Sequence, residues 1–207
     1  MATYGGAIDL ILTELNRQDT SITAVVEREF LKAIESYAHE RWWFNEARIS
    51  FTASTTIYYP LANLSATILE IDQLSVTINS SNVELEEVTH QAMHRMDVSG
   101  QTGAPSHWAL FAEQIRLYPK PATATTYQVD LMGTKKLATL SASTDTNAWT
   151  TEALNLIAAR TEKVVCARKF KDFEAAQMYQ VAEDQEYAKL RDRAERLQST
   201  GKLSGGY

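Results

Sequence analysis

The stretch Glu40-Arg-Trp-Trp-Phe-Asn-Glu-Ala-Arg48 constrains the fold most, because the hydrophobic period changes across it. Upstream, Ile22, Val26, Phe30, Ile34 and Tyr37 recur at the spacing of one helix face. Downstream, Ile49, Phe51, Ile57, Tyr58 and Tyr59 belong to short β-rich runs. A helix therefore passes into sheet at a joint of consecutive aromatics, Trp42, Trp43 and Phe44. Neighbouring residues point in different directions, so these side chains cannot all face one core. They are candidates for a subunit interface, where aromatics are enriched.

The rest of the chain sorts around that joint. Ile8, Ile11, Leu12 and Leu15 predict a first helix over about Gly6 to Asn16. A turn follows, and Thr20 or Ser21 is positioned to cap a second helix running to about Trp42. Strands are predicted at Arg48–Ala53, Thr56–Tyr59, Ile68–Ile78, Val83–Glu87, His107–Ala112, Gln114–Tyr118 and Thr126–Gly133, with a hairpin turn in Ile78–Val83 and a short helix from His90 to Met96. Between Gly133 and Gly201 there is neither glycine nor proline. Thr150 or Thr151 can start a helix there, and Asp172 reads as a break or second cap. As one rod, residues 151–198 would span about 70 Å, so a hairpin bent near Lys171-Asp172 suits the chain better.

The fold class predicted is α+β: a helical bundle built from both ends of the chain, with an inserted antiparallel β-rich subdomain. The bundle takes residues 1–46 and 149–198, and the β-rich insertion takes 47–148. Residues 199–207, with three glycines, predict a flexible C-terminal tail.

At 207 residues the chain is long enough for a substantial core. No apolar run approaches the length of a membrane span, and the N-terminus lacks the basic and apolar parts of a secretion signal. The single cysteine, Cys166, permits no intrachain disulfide, which fits a reducing compartment. The net charge is −6 and is unevenly spread: residues 1–159 hold 10 Lys/Arg against 18 Asp/Glu, residues 160–207 hold 10 against 8. An acidic body opposes tight non-specific DNA binding, yet it suits a passage along which DNA slides without adhering.

Candidate chemistry is sparse, and no cofactor is expected. His90 and His94 share a helix face at metal-ligand spacing, but the run His-Gln-Ala-Met-His lacks the glutamate of the zinc-protease motif and has no evident third ligand. Glu84, Glu86 and Glu87, with Asp72 and Glu70, invite comparison with glycosidase carboxylates, and a solvated strand face is the plainer explanation. Cys166 sits mid-helix, where a buried structural thiol is the default, although Arg168 and Lys169 could lower its pKa. Lys189, Arg191, Arg193 and Arg196, interleaved with Asp192 and Glu195, read as a solvated face of i,i+3 and i,i+4 pairs.

Five segments, in order along the chain, carry a more specific likeness: Glu14-Leu-Asn-Arg17; Glu40-Arg-Trp-Trp-Phe-Asn-Glu46; Gly103-Ala-Pro105 leading to Ile115-Arg-Leu-Tyr-Pro-Lys-Pro121; Asn147-Ala-Trp-Thr150; and Asp172-Phe-Glu-Ala175. With them the chain resembles the head-to-tail adaptor, or connector, proteins of tailed bacteriophages. The resemblance implies a structural virion protein and not an enzyme. It implies a ring, usually of twelve copies, docked beneath the portal protein in the virion neck after assembly in the host cytoplasm. Double-stranded DNA would pass through the lumen without sequence-specific binding, and a tail nozzle or tube protein would attach below. The resemblance also gives the C-terminal segment a role in gripping the portal, through Lys202, Leu203 and Tyr207. Composition alone slightly favours an unbound, disordered end, and the resemblance reverses that. Two alternatives stay open: a small-molecule or glycan-binding module, or another tail-side structural component, on the helical scaffold. A hydrolase using Glu84–Glu87 is a third.

Overall fold

The computed structural model describes residues 2–199 apart from 18, 66, 98, 99 and 124. Its elements run α1 (Tyr4–Glu14), α2 (Thr20–Tyr37), β1 (Glu46–Ala53), β2 (Tyr58–Pro60), α3 (Leu61–Leu64), β3 (Ile68–Ile78), β4 (Ser81–Glu84), β5 (Glu86–Glu87), α4 (His90–Met96), β6 (His107–Phe111), β7 (Gln114–Tyr118), β8 (Tyr127–Lys135), α5 (Ala148–Thr151), α6 (Leu154–Val165), a π-helical turn (Cys166–Phe170) and α7 (Phe173–Ser199). Helices at both chain ends flank a β-rich centre, the α+β arrangement expected. By its contacts the chain divides into two units, Met1–Phe44 with Leu137–Tyr207, and Asn45–Lys136.

The first unit is helical, and its caps explain where its helices begin. Thr3 accepts from the Gly6 amide at 3.1 Å and opens α1. At α2 the cap is Asp19, one residue before the hydroxyls expected to serve. Its Oδ1 accepts from the Ile22 amide at 3.0 Å and from the Ser21 hydroxyl at 2.6 Å. A carboxylate is the stronger acceptor at the positive end of a helix, so Ser21 supports the cap instead of forming it. α2 ends at Tyr37, not near Trp42, because the Trp42 indole N–H donates to the Tyr37 carbonyl at 3.1 Å and satisfies it from outside the helix. Asn147, not Thr150 or Thr151, caps α5: it accepts from Trp149 at 2.9 Å while Thr150 accepts from the Asn147 amide at 3.2 Å. The helical stretch after it bends at Lys171, which adopts left-handed geometry (φ 58°), and Asp172 caps α7 by accepting from the Ala175 amide at 3.0 Å.

Ile8 and Ile11 of α1, Val26 and Phe30 of α2, Trp42, Trp149, Leu156 and Ile157, and Leu190 and Ala194 of α7 form one buried cluster. Each large side chain sealed there contributes roughly 1.5–3 kcal/mol. Helix α7 is only partly covered. Ala176, Leu190 and Ala194 are buried, while Phe173 and Leu197 near the helix ends stay exposed. The 12-residue α6 covers only part of the 27-residue α7.

The second unit has two four-stranded sheets, ordered β1-β8-β3-β4 and β2-β7-β6-β5. Phe51, Leu74, Val76, Val129 and Leu131 from one sheet and Tyr59, Trp108, Ile115 and Leu117 from the other enclose a second core. The predicted strand over Val83–Glu87 is broken at the buried Leu85. β4 pairs with β3 in one sheet and β5 pairs in parallel with β6 in the other, so the chain crosses between sheets there. The β3–β4 turn is only Asn79-Ser80, both left-handed (φ 49° and 65°), which matches the twist of a tight hairpin. The short helix α3 falls between the strands expected from sequence.

β8 passes β3 where the register of the pair shifts, between Ile68 and Gln73. Gly133 lies at that point, and a Cβ there would stand 2.0 Å from the Glu70 carbonyl oxygen. Gly133→Ala is therefore expected to destabilise the chain by about 2–3 kcal/mol in denaturant unfolding. An unchanged midpoint would mean that β3 and β8 are not packed this closely.

Candidate functional site

The aromatic joint lies in the helical unit, and its residues take different roles. Trp42 is 0 % exposed, stacked with Phe44 (centroids 6.1 Å apart) and edge-on to Tyr187 at 5.9 Å. It leaves no surface for a neighbour. Trp43 and Phe44 are half-buried and meet edge to face at 5.0 Å. Phe44 also meets Trp149 edge-on at 5.0 Å. The Arg193 guanidinium lies 4.4 Å from the Trp43 ring centre and donates to Glu152 at 2.9 Å. Of the joint, Trp43 and Phe44 thus keep accessible area.

Beneath the joint lies a buried polar node. Glu183 of α7 is 3 % exposed and accepts from the Tyr37 hydroxyl at 2.6 Å and from Arg160 at 2.8 Å, with Lys163 ion-paired to its other oxygen. Burial works to raise the Glu183 carboxyl, but Lys163, Tyr37 and Arg160 outweigh it and hold the group below the ordinary glutamate range. Burial, and then the Glu183 carboxylate, push the Tyr37 phenol up. The node ties α2, α6 and α7 to one point.

A family model described as SU10 adaptor protein matches residues 2–205. The chain belongs to this phage head-to-tail adaptor family. No curated protein matches it. The adaptor's role is structural, and it works in association with the portal and tail components of the phage. Among the described residues, no helix is long and apolar enough to cross a membrane.

The other candidates of the adaptor fall in both units. Asp72, Glu84, Glu86 and Glu87 line one open hollow of about 450 Å3 in the β-rich unit, with Glu86 3.5 Å from His107. Glu84, Glu86 and Glu87 are exposed, so the hollow lacks the walls that would exclude water. His90 stacks on Phe111 with ring centres 4.1 Å apart, while His94 is exposed. Among the described residues, no group of three or more His, Cys, Asp or Glu could hold a metal ion. Cys166 is buried as expected, but its thiol is pushed up, not down: burial dominates, then Asp172 and Glu162, while Arg168 and Lys169 are exposed. The pairs Glu186–Lys189 and Asp192–Arg196 form the solvated face expected on α7. Lys202, Leu203 and Tyr207 lie outside the described residues.

Sequence reasoning missed the Glu183 node and a second buried acid, Glu162 of α6. Their signal was faint: carboxylates on the helix faces that also carry Tyr179 and Val165. Glu162 is 2 % exposed, and burial, then the carboxyl of Glu14, push it up to about 9. The Tyr179 phenol is pushed up to about 12 by burial, then by Glu162 and Cys166.

Glu183→Ala should cost about 3 kcal/mol of stability, because Lys163 and Arg160 lose their shared anion. Chemical denaturation measures it, and a loss under about 1 kcal/mol would mean that the node is solvated. For Glu162 the folded pKa is raised, so its contribution is full below the ordinary value of 4.5 and is lost as pH climbs toward about 9. Glu162→Gln should therefore melt higher than the parent by ~3 °C or more near pH 8, with the gap closing near pH 4. A gap that widens toward acid would contradict a protonated Glu162.

Proposed function

We propose that this adaptor forms a ring of twelve copies beneath the portal, which continues the DNA channel and offers the tail its attachment site. The family match across residues 2–205 carries this proposal. The net charge of −6 supports it, since acidic walls repel phosphate and let double-stranded DNA pass without sequence-specific binding. The adaptor performs no bond-making chemistry, assembles in the host cytoplasm and resides in the neck of the virion.

Within the ring, the helical unit serves as the bundle, the β-rich unit as the inserted subdomain and residues 199–207 as the tail. Trp43 and Phe44 contribute to the contact between neighbouring subunits, and Trp42 supports them from the core. The tail grips the portal, with Leu203 and Tyr207 supplying apolar anchors and Lys202 a charge.

Truncation after Gln198 tests the attachment. The truncated chain should keep its melting temperature, because the buried cluster of the helical unit ends at Ala194. In co-sedimentation with portal rings of the same phage it should bind at least ~10-fold more weakly than the full chain. Equal binding of the two forms would remove the tail from the portal contact. Failure of the full chain to bind any portal ring would remove the adaptor ring itself.

A further inference from the structure

The helical unit carries two complementary surface features that its own packing leaves unused. From Phe173 to Ala188, α7 has no Lys or Arg. Its outer face there shows Phe173, Met178 and Val181, which are 65 %, 71 % and 56 % exposed, beside the exposed acids Glu174 and Asp184. Large apolar side chains so exposed on one helix face mark a contact surface. Elsewhere on the same unit, a groove of about 360 Å3 runs between α2 and the end of α6. Val25 and Val164 line it, with Arg28, Lys32, Arg168 and Lys169 around them, and no described residue of α7 takes part. Arg28 and Lys32 share the single buried Glu29, at 2.9 and 3.2 Å, so the groove keeps a surplus of positive charge.

We infer that the outer face of α7 in one copy of this chain docks in the α2–α6 groove of the next copy. One feature is apolar with an acidic border, and the other is apolar with a basic border. They are different patches of one subunit, which is the requirement for a heterologous contact that repeats around a ring. The inference rests on the ring proposed above and specifies its subunit contact. Phe173, Met178 and Val181 supply the buried area. Glu174 and Asp184 meet Arg168 and Lys169, fixing the register and speeding encounter.

Charge reversal of the full-length chain tests it, read by native mass spectrometry with and without portal rings of the same phage. Glu174→Lys with Asp184→Lys should lower ring yield by roughly tenfold or more, and so should Arg168→Glu with Lys169→Glu. All four substitutions in one chain should restore rings to within about threefold of the parent. The positions are exposed, so melting temperatures should stay within about 4 °C of the parent, the loss of Glu174 from the first turn of α7 included. A second measurement does not depend on charge. Val181→Cys chains mixed with Lys169→Cys chains should give disulfide-linked dimers that neither variant gives alone, because Cys166 is buried. Rings that form normally in both reversal variants, or a mixture without linked dimers, would overturn the inference while leaving the ring intact. Reversals that spare the ring but lose the portal would assign these surfaces to the portal and also overturn it. A parent chain that never closes a ring, alone or with portal, would instead remove the ring proposal.

Discussion

The antiparallel pairing of β1 with β8 is the constraint on which the rest of the chain depends. It runs from Glu46 opposite Thr134 to Ala53 opposite Tyr127, and the Lys135 amide donates to the Asn45 carbonyl at 2.8 Å. The β-rich segment therefore leaves and returns to the helical segments at one place. A chain that opens and closes an excursion at the same point can build one helical core from its two distant ends. Tyr4, Phe30 and Trp42 pack in the same cluster as Trp149, Leu156 and Leu190 for this reason. Gly133 belongs to the same constraint, since no side chain fits where β8 crosses the irregular part of β3.

Within the helical unit, specificity comes from a few polar groups set in an apolar core. A hydrophobic cluster alone tolerates small rotations of its helices. The Glu183 node does not, because Tyr37, Arg160 and Lys163 must all reach one carboxylate from two different helices. Tyr187 donates to Glu40 at 2.9 Å and packs on Trp42, which joins α7 to the aromatic joint. These contacts hold the helices of the unit in one defined arrangement.

Much of this fold was legible in the sequence. β3, β7 and α4 fall where periodicity puts them, because strict alternation or a clear helical face leaves few choices. The joint itself was legible as a change of period. The caps were less so: Asp19 and Asn147 stand beside hydroxyl residues of similar capping propensity, and only geometry decides which oxygen reaches the free amides. The break at Leu85 was invisible because a strand crossing between sheets keeps its β-like composition. The buried acids were hidden most deeply. Glu162 and Glu183 look like any surface glutamate until the helices that surround them are assembled. The family likeness, by contrast, was legible from the order of five short segments, none of them decisive alone.

The adaptor's place in the particle follows from what it joins, and imaging reads that directly. Full-length chain mixed with portal rings of the same phage should appear in negative stain as a second, coaxial ring beneath the portal, with a continuous lumen. A well-folded chain that leaves the portal bare would contradict a connector.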